Sequence, residues 1–280
     1  MSHKIKYAAL CHKGKIRDKN QDNLWCSGVF LEKENKGLPK MLSGVIEKKA
    51  YPAFAVFDGL GGEQQGEVAA YLAAKKFDER IRDKSPEEDS GLKTFLLDTC
   101  FELNQSICDY AKEQQIKNIG TTAALLMFGS EEVVICNLGD SRVYRFSKGT
   151  LEQISIDHIV TYVESKKPPL AQHLGIPKSE FIIEPFITEE KYNHESRYLI
   201  CSDGLSDMLT DDEIGKILAD GKISAVAKKL MNNALKKGGK DNITVIVCEA
   251  TRIKTSFMSK IKKWQKSNLV RKHKKKKRRR

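Results

Sequence analysis

Apolar residues along this chain fall into two patterns: short continuous runs, and stripes repeating every three or four positions. Continuous runs predict buried strands over 7–14, 23–30 and 51–57, and again over 121–128, 133–137, 142–146, 151–154, 197–201 and 242–248. Residues 32–49 are rich in Lys, Glu and Gly and read as an exposed loop or long hairpin connection. An Ala-rich stretch over 62–83, with an apolar face at Val68, Leu72 and Phe77, predicts a helix. Ser85-Pro86-Glu87-Glu88 combines a Ser-x-x-Glu capping signature with Pro at the first helical position. A second helix is therefore expected from there to about residue 115, with Leu92, Phe95, Leu96, Cys100, Leu103 and Ile107 facing a core. Thr210-Asp-Asp-Glu213 is another capping box and opens a helix to about 220; a further helix covers 224–237. Groups of antiparallel-type strands, each followed by a pair of helices, indicate an α+β fold rather than alternating βαβ units.

Composition sharpens this picture. The 280 residues are 40% hydrophobic and 31% charged, enough for one large globular domain or two small ones. The formal net charge of +12 is unevenly spread: residues 251–280 carry 15 Lys/Arg and no acid, leaving 34 Lys/Arg against 37 Asp/Glu before them. The body, residues 1–250, is thus a faintly acidic domain, which argues against a basic nucleic-acid-binding fold, and 251–280 is a basic, flexible tail. In that tail Phe257, Ile261 and Trp264 fall at helical spacing among lysines, ahead of the block from Arg271 to Arg280. A solvated tail, a tether to an anionic membrane surface, and a contact with nucleic acid or an acidic protein all fit such a segment. No apolar run approaches the roughly 18–20 residues of a membrane span, the longest being 68–74, and the N-terminus lacks the apolar centre of a signal peptide. Seven scattered cysteines without a Cys-x-x-Cys pair read as core thiols in a reducing cytosol. A cytoplasmic protein without a transmembrane segment is expected.

The candidate chemistry lies in acidic residues placed where strands meet turns. Arg17-Asp-Lys-Asn-Gln-Asp22 precedes the second strand, and Asp58-Gly-Leu-Gly-Gly62 closes the third. Asn137-Leu-Gly-Asp140-Ser-Arg142 sits between two strands, Ser202-Asp203-Gly204 follows another, and Asp241-Asn242 introduces the last. Each alone is an ordinary turn former. If the strands share one sandwich, however, their ends converge, and carboxylates gathered in a low dielectric cannot all ionise without cations. Hard oxygen ligands favour magnesium or manganese over zinc, and such clusters suit two-metal hydrolysis of a phosphate ester.

These motifs, in this order and together with Gly120-Thr-Thr122 and Asp241-Asn-Ile-Thr244, resemble the bacterial metal-dependent Ser/Thr phosphatases of the protein phosphatase 2C family. The resemblance spans about residues 5–250 and implies an α-β-β-α sandwich of two mainly antiparallel sheets flanked by helix pairs, with the basic tail beyond it. It implies two manganese or magnesium ions. Asp58 would bridge them, the Gly59 carbonyl would bind one, and Asp203 and Asp241 would complete the shell of the other. Asp22 would act on metal-bound waters, Arg17 would grip the substrate phosphate, and Asp140 with Asp203 would hold a weaker third ion. Asn242 would orient Asp241 and its neighbours. No cysteine takes part.

Gln21 stands where many relatives carry Glu, and Leu60 where eukaryotic members place a histidine read as a general acid. Leucine has no proton to donate, so the leaving serine or threonine oxygen would draw its proton from water on the metals. Asp157-His158 resembles the start of the family's flap, with Ile159 replacing a small hydroxyl residue and the segment to Gly175 shorter than usual. His158 and His173 have no partner at metal-ligand spacing and read as structural. The expected activity is hydrolysis of phosphoserine and phosphothreonine in proteins, opposing a Ser/Thr kinase. The alternatives are a catalytically weak phosphatase-like scaffold tethered by its tail, and a two-metal nuclease recruited by that tail.

Overall fold

A strand such as 53–58, apolar at every position but the last, needs cover on both faces. The computed structural model, which describes residues 3–47, 51–60, 65–83, 91–129, 131–162, 168–191 and 196–252, supplies that cover with four layers. The strands are β1 (His3–His12), β2 (Asp22–Cys26), β3 (Leu42–Glu47), β4 (Ala53–Asp58), β5 (Ala123–Phe128), β6 (Glu132–Leu138), β7 (Arg142–Ser147), β8 (Thr150–Gln153), β9 (Phe186–Lys191), β10 (Arg197–Cys201) and β11 (Ile243–Arg252). The helices are α1 (Gly66–Asp83), α2 (Leu92–Glu113), α3 (Asp203–Ser206), α4 (Asp211–Leu218) and α5 (Ile223–Lys236). One sheet runs β3-β1-β11-β10-β7-β8 and the other β2-β4-β5-β6-β9, and the paired strands are antiparallel throughout.

Alternation along each strand divides the core. In β4, Phe54 and Val56 enter the space between the sheets, against Leu126, Ile200 and Ile246. Ala53, Ala55 and Phe57 face the layer of α1 and α2, where they meet Phe77, Leu96 and Leu103. Across the other sheet, Val245 and Val247 pack on Ile214, Val226 and Leu230 of α4 and α5. This is the expected α-β-β-α sandwich.

The strands and helices read from the sequence are present, with ends displaced by a few residues. The Thr210–Glu213 capping box closes as expected: the Glu213 backbone N–H donates to Thr210 Oγ1 (3.4 Å) and the Thr210 N–H to Glu213 Oε2 (2.9 Å). The capping signature at Ser85–Glu88, glycines 61 and 62, and residues 253–280 lie outside the described residues; the described part of the second helix begins at Leu92. β11 continues to Arg252, which pairs with His3. Two strands were not anticipated. β3 lies inside the stretch read as a loop: it is an edge strand, with Ser43 and Val45 exposed, so its alternation is short and diluted by neighbouring Lys and Gly. β9, of sequence FITEEK, looks like surface sequence, but its Glu190 accepts from Tyr198 (2.7 Å) and pairs with Arg145 on the other sheet.

Candidate active site

Several element ends meet at one edge of the sandwich. β2 begins at Asp22 and β4 ends at Asp58, and antiparallel pairing sets these residues directly opposite each other. β10 stops at Cys201 and α3 starts at Asp203, while Asp241 and Asn242 precede β11 and Asp140 sits in the β6–β7 turn. Asp58, Asp140, Asp203 and Asp241 all line one cleft of about 600 Å³, together with Gly59 and Arg17. The strand-end carboxylates singled out in the sequence therefore converge, except that Asp22 is held beside the cleft and not on its wall, at 1% exposure.

Asp22 joins the two sheets. Its Oδ2 accepts from Ser202 Oγ (2.8 Å) and Thr244 Oγ1 (2.7 Å), and Ser202 Oγ accepts from the Thr244 backbone N–H (2.9 Å). Both hydroxyl residues stood within motifs quoted from the sequence, yet nothing in their spacing marked them as the seat of Asp22. Asn242 staples the loop before β2: its Oδ1 accepts from Gln21 N–H (2.7 Å), and its Nδ2 donates to the carbonyls of Lys13 (2.7 Å) and Lys19 (2.9 Å). Its own N–H donates to Asp241 Oδ1 (2.9 Å). Glycines allow the close approach: a Cβ on Gly204 would run into the Asn242 carbonyl, and one on Gly59 into Gly66 and Gln21.

The electrostatics are those of crowded, buried carboxylates. Burial, and then the neighbouring Asp203 and Asp241, push Asp22 up to about 7 despite its two hydroxyl donors. Burial and the charges of Asp22, Asp203, Asp140 and Asp241 hold Asp58 well above the usual carboxylate range. Arg17 supplies one counter-charge by gripping Asp241 through two bonds, Nε to Oδ1 (2.9 Å) and Nη2 to Oδ2 (2.7 Å). Buried thiols at Cys11, Cys26 and Cys201 are pushed up to about 12, so none is a thiolate nucleophile at neutral pH.

The donor set fits hard divalent cations. It consists of carboxylate and carbonyl oxygens, its charges repel one another, and Asp22 Oδ1 is buried with no hydrogen-bond partner. Among the described residues, no three His, Cys, Asp or Glu side chains are already gathered at coordinating spacing.

A family model described as protein phosphatase 2C matches residues 42–245. The chain belongs to the protein phosphatase 2C family. The serine/threonine phosphatase stp of Listeria monocytogenes is 28% identical over 254 residues, covering 85% of this chain and 92% of that protein. The serine/threonine protein phosphatase PstP of Mycobacterium tuberculosis is 28% identical over 257 residues, covering 88% of this chain and 45% of its own length. The crystal structure of the PstP catalytic domain, in complex with two manganese ions, superposes with a TM-score of 0.71 at 26% identity, over 89% of this chain and all of that one.

On this phosphatase scaffold the second wall of the cleft comes from the segment after β8. Asp157 is fixed by Arg142 (Nη2 to Oδ2, 2.7 Å) and by Gln153 (2.7 Å). The chain then folds back, with Val160 N–H donating to Pro169 O (2.9 Å) and Ala171 N–H to His158 O (2.8 Å). Pro168, Pro169, Leu170 and His173 reach the cleft. Of the two histidines read as structural, His158 lies against the Gly139 backbone, whereas His173 faces the site. No spacing rule in the sequence could have singled it out, because Gly120 and Leu60, which share its corner of the site, lie 53 and 113 positions away. Among the described residues, no helix is long and apolar enough to cross a membrane.

Proposed function

We propose that this protein hydrolyses phosphoserine and phosphothreonine monoesters in other proteins, with water as nucleophile and two manganese or magnesium ions as cofactors. The observation that carries this reading is the convergence of Asp58, Asp140, Asp203 and Asp241 on one cleft that also holds Arg17. Asp58, the Gly59 carbonyl, Asp203 and Asp241 would hold the two cations, and Asp140 with Asp203 a weaker third. Such ions supply charge on the phosphoryl oxygens and acidify water.

The protein's own groups do the rest. Asp22 stands next to Asp58, and its Oδ1, buried with no protein partner, would accept a proton or hydrogen bonds from water that enters with the cations. Its position is fixed by Ser202 and Thr244, so it need not reorganise. Arg17 turns from Asp241 to the substrate phosphate, whose oxygens suit its planar fork equally well. Asn242 keeps the Arg17 loop against the loop that carries Asp241. The cleft's second wall, Pro168 to Leu170, offers apolar surface to residues flanking the phosphorylated side chain. Opposition to a Ser/Thr kinase, a cytoplasmic location, and tethering of residues 251–280 to an anionic membrane surface or nucleic acid complete the proposal.

The test is phosphate release from a phosphothreonine peptide with manganese, with magnesium, and after chelation. Release that requires the metal and survives thiol blockers is expected. Silence with every metal, from a folded protein, would leave the scaffold reading in its place.

A further inference from the structure

Cleavage of a phosphoserine or phosphothreonine ester expels an alkoxide, a poor leaving group unless a proton reaches it as the P–O bond breaks. The cleft side chains offer few donors. Leu60 has none, Arg17 stays protonated at any working pH, and Gln21 is a neutral amide. The Thr122 hydroxyl is engaged with Ser141 Oγ (2.7 Å) and the Asp58 N–H (3.0 Å). The four cleft carboxylates are committed to cations in the reading above. Among the described residues of the cleft, that leaves His173.

Its position is built, not incidental. Leu174 N–H donates to Thr121 O (2.8 Å) and Thr121 N–H to Leu174 O (3.2 Å), while Thr122 N–H donates to Asp58 O (2.8 Å). His173 is thus one residue from a backbone bridge that leads directly to the residue expected to bind both metals. Leu60 N–H donates to Gly120 O (3.1 Å) on the same segment. A Cβ on Gly120 would lie 2.6 Å from His173 Nδ1 and 2.8 Å from Leu60 Cδ1, so the glycine is what lets the imidazole and Leu60 share this corner. His173 Nδ1 is 2.9 Å from Leu174 O. A carbonyl only accepts, so Nδ1 carries the hydrogen and Nε2 is the nitrogen left for the cleft.

We propose, on the basis of the phosphatase activity argued above, that His173 is the general acid for the leaving group, in place of a histidine at position 60. Water oxygen forms the new bond to phosphorus and releases a proton to solvent. The P–Oγ bond breaks with its electron pair passing to Oγ, and Nε2–H of protonated His173 transfers its proton to that oxygen. The neutral imidazole then regains a proton from solvent, so nothing is consumed but water.

The experiment compares a phosphothreonine peptide with p-nitrophenyl phosphate, in the full-length protein saturated with manganese. Nitrophenolate departs without a proton, so a lost general acid affects the two substrates unequally. For His173→Gln the ratio of peptide to nitrophenyl phosphate kcat should fall by about a hundredfold or more, the range of a lost proton donor. Parallel losses on both substrates, or no loss on either, would overturn the assignment. If the glutamine variant fails to fold, as judged by its melting curve, His173→Asn is measured in the same way. Wild-type protein inactive on both substrates would instead overturn the phosphatase reading itself.

Discussion

At the scale of single residues, the facing pair of Asp22 and Asp58 links ionisation to stability. Both carboxyls are raised by burial and by neighbouring acids, Asp22 to about 7. An acid with a raised folded-state pKa holds a proton that the unfolded chain has released. Its contribution is therefore fully present below about pH 4 and is lost as the pH climbs towards about 7. Metal-free protein should melt at lower temperature at pH 7 than at pH 5 from this source, and manganese should raise the melting temperature more at pH 7. Asp22→Asn should flatten the metal-free trend; a slope unchanged by that substitution would remove Asp22 as its cause. Asp203→Asn keeps the shape of the side chain but removes the negative charge that would hold a cation, and should abolish phosphate release; turnover near wild type would sink the assignment. Arg17→Ala separates two roles. The Arg17–Asp241 pair is partly exposed, with the arginine side chain 45% accessible, so it is worth at most about 1 kcal/mol. Its removal should tighten manganese binding by no more than about fivefold, since the guanidinium no longer competes for Asp241. KM for the phosphopeptide should rise, and a calorimetric titration beside steady-state kinetics would read both changes.

At the scale of elements, the site depends on two loops tied together by Asn242, by the Arg17–Asp241 pair and by Lys15 N–H donating to Gly239 O (2.8 Å). Asn242 makes three bonds to the segment from Lys13 to Gln21. At roughly 1 kcal/mol each, Asn242→Ala should cost about 2–3 kcal/mol, some 5–10 °C in melting temperature. The same variant should lose phosphopeptide affinity, because Arg17 rides on the freed loop; unaltered stability and KM together would show the staple to be idle. What the sequence disclosed has the same local character. β4, β5 and β6 were legible because burial on both faces leaves an unbroken apolar run, and the site's acids because each sits beside the start or the end of a strand. β3 was hidden because an edge strand exposes every other residue, and β9 because its charges find their partners on a different sheet. Ser202 and His173 act through contacts that the chain closes only by folding: Ser202 is 180 positions from Asp22, and His173 approaches Leu60 across Gly120. No local pattern carries such information.

At the scale of the whole molecule, charge separates the chain into a body that is slightly acidic and a terminal segment, 251–280, with 15 Lys/Arg and no acid. The cleft adds its own negative field, since most of its ionisable groups are carboxylates. A small anionic substrate meets that field only at the cleft mouth, where Arg17 and cations, once bound, would reverse it, so its turnover should not depend on the tail. A surface carrying many anions is different. Each Lys or Arg close to such a membrane contributes about 1 kcal/mol, and the attraction fades within a Debye length of about 8 Å at physiological salt. Phe257, Ile261 and Trp264 add apolar area that nucleic acid would use less well than a lipid interface. Removing 253–280, which leaves β11 whole, should therefore keep nitrophenyl phosphate turnover within about twofold while abolishing co-sedimentation with phosphatidylserine vesicles. Binding of the full chain to those vesicles should weaken steeply between low and physiological salt and should exceed its binding to duplex DNA. Tighter binding to the duplex would make the tail a nucleic-acid contact, and equal loss of turnover and vesicle binding would make it part of the catalytic domain.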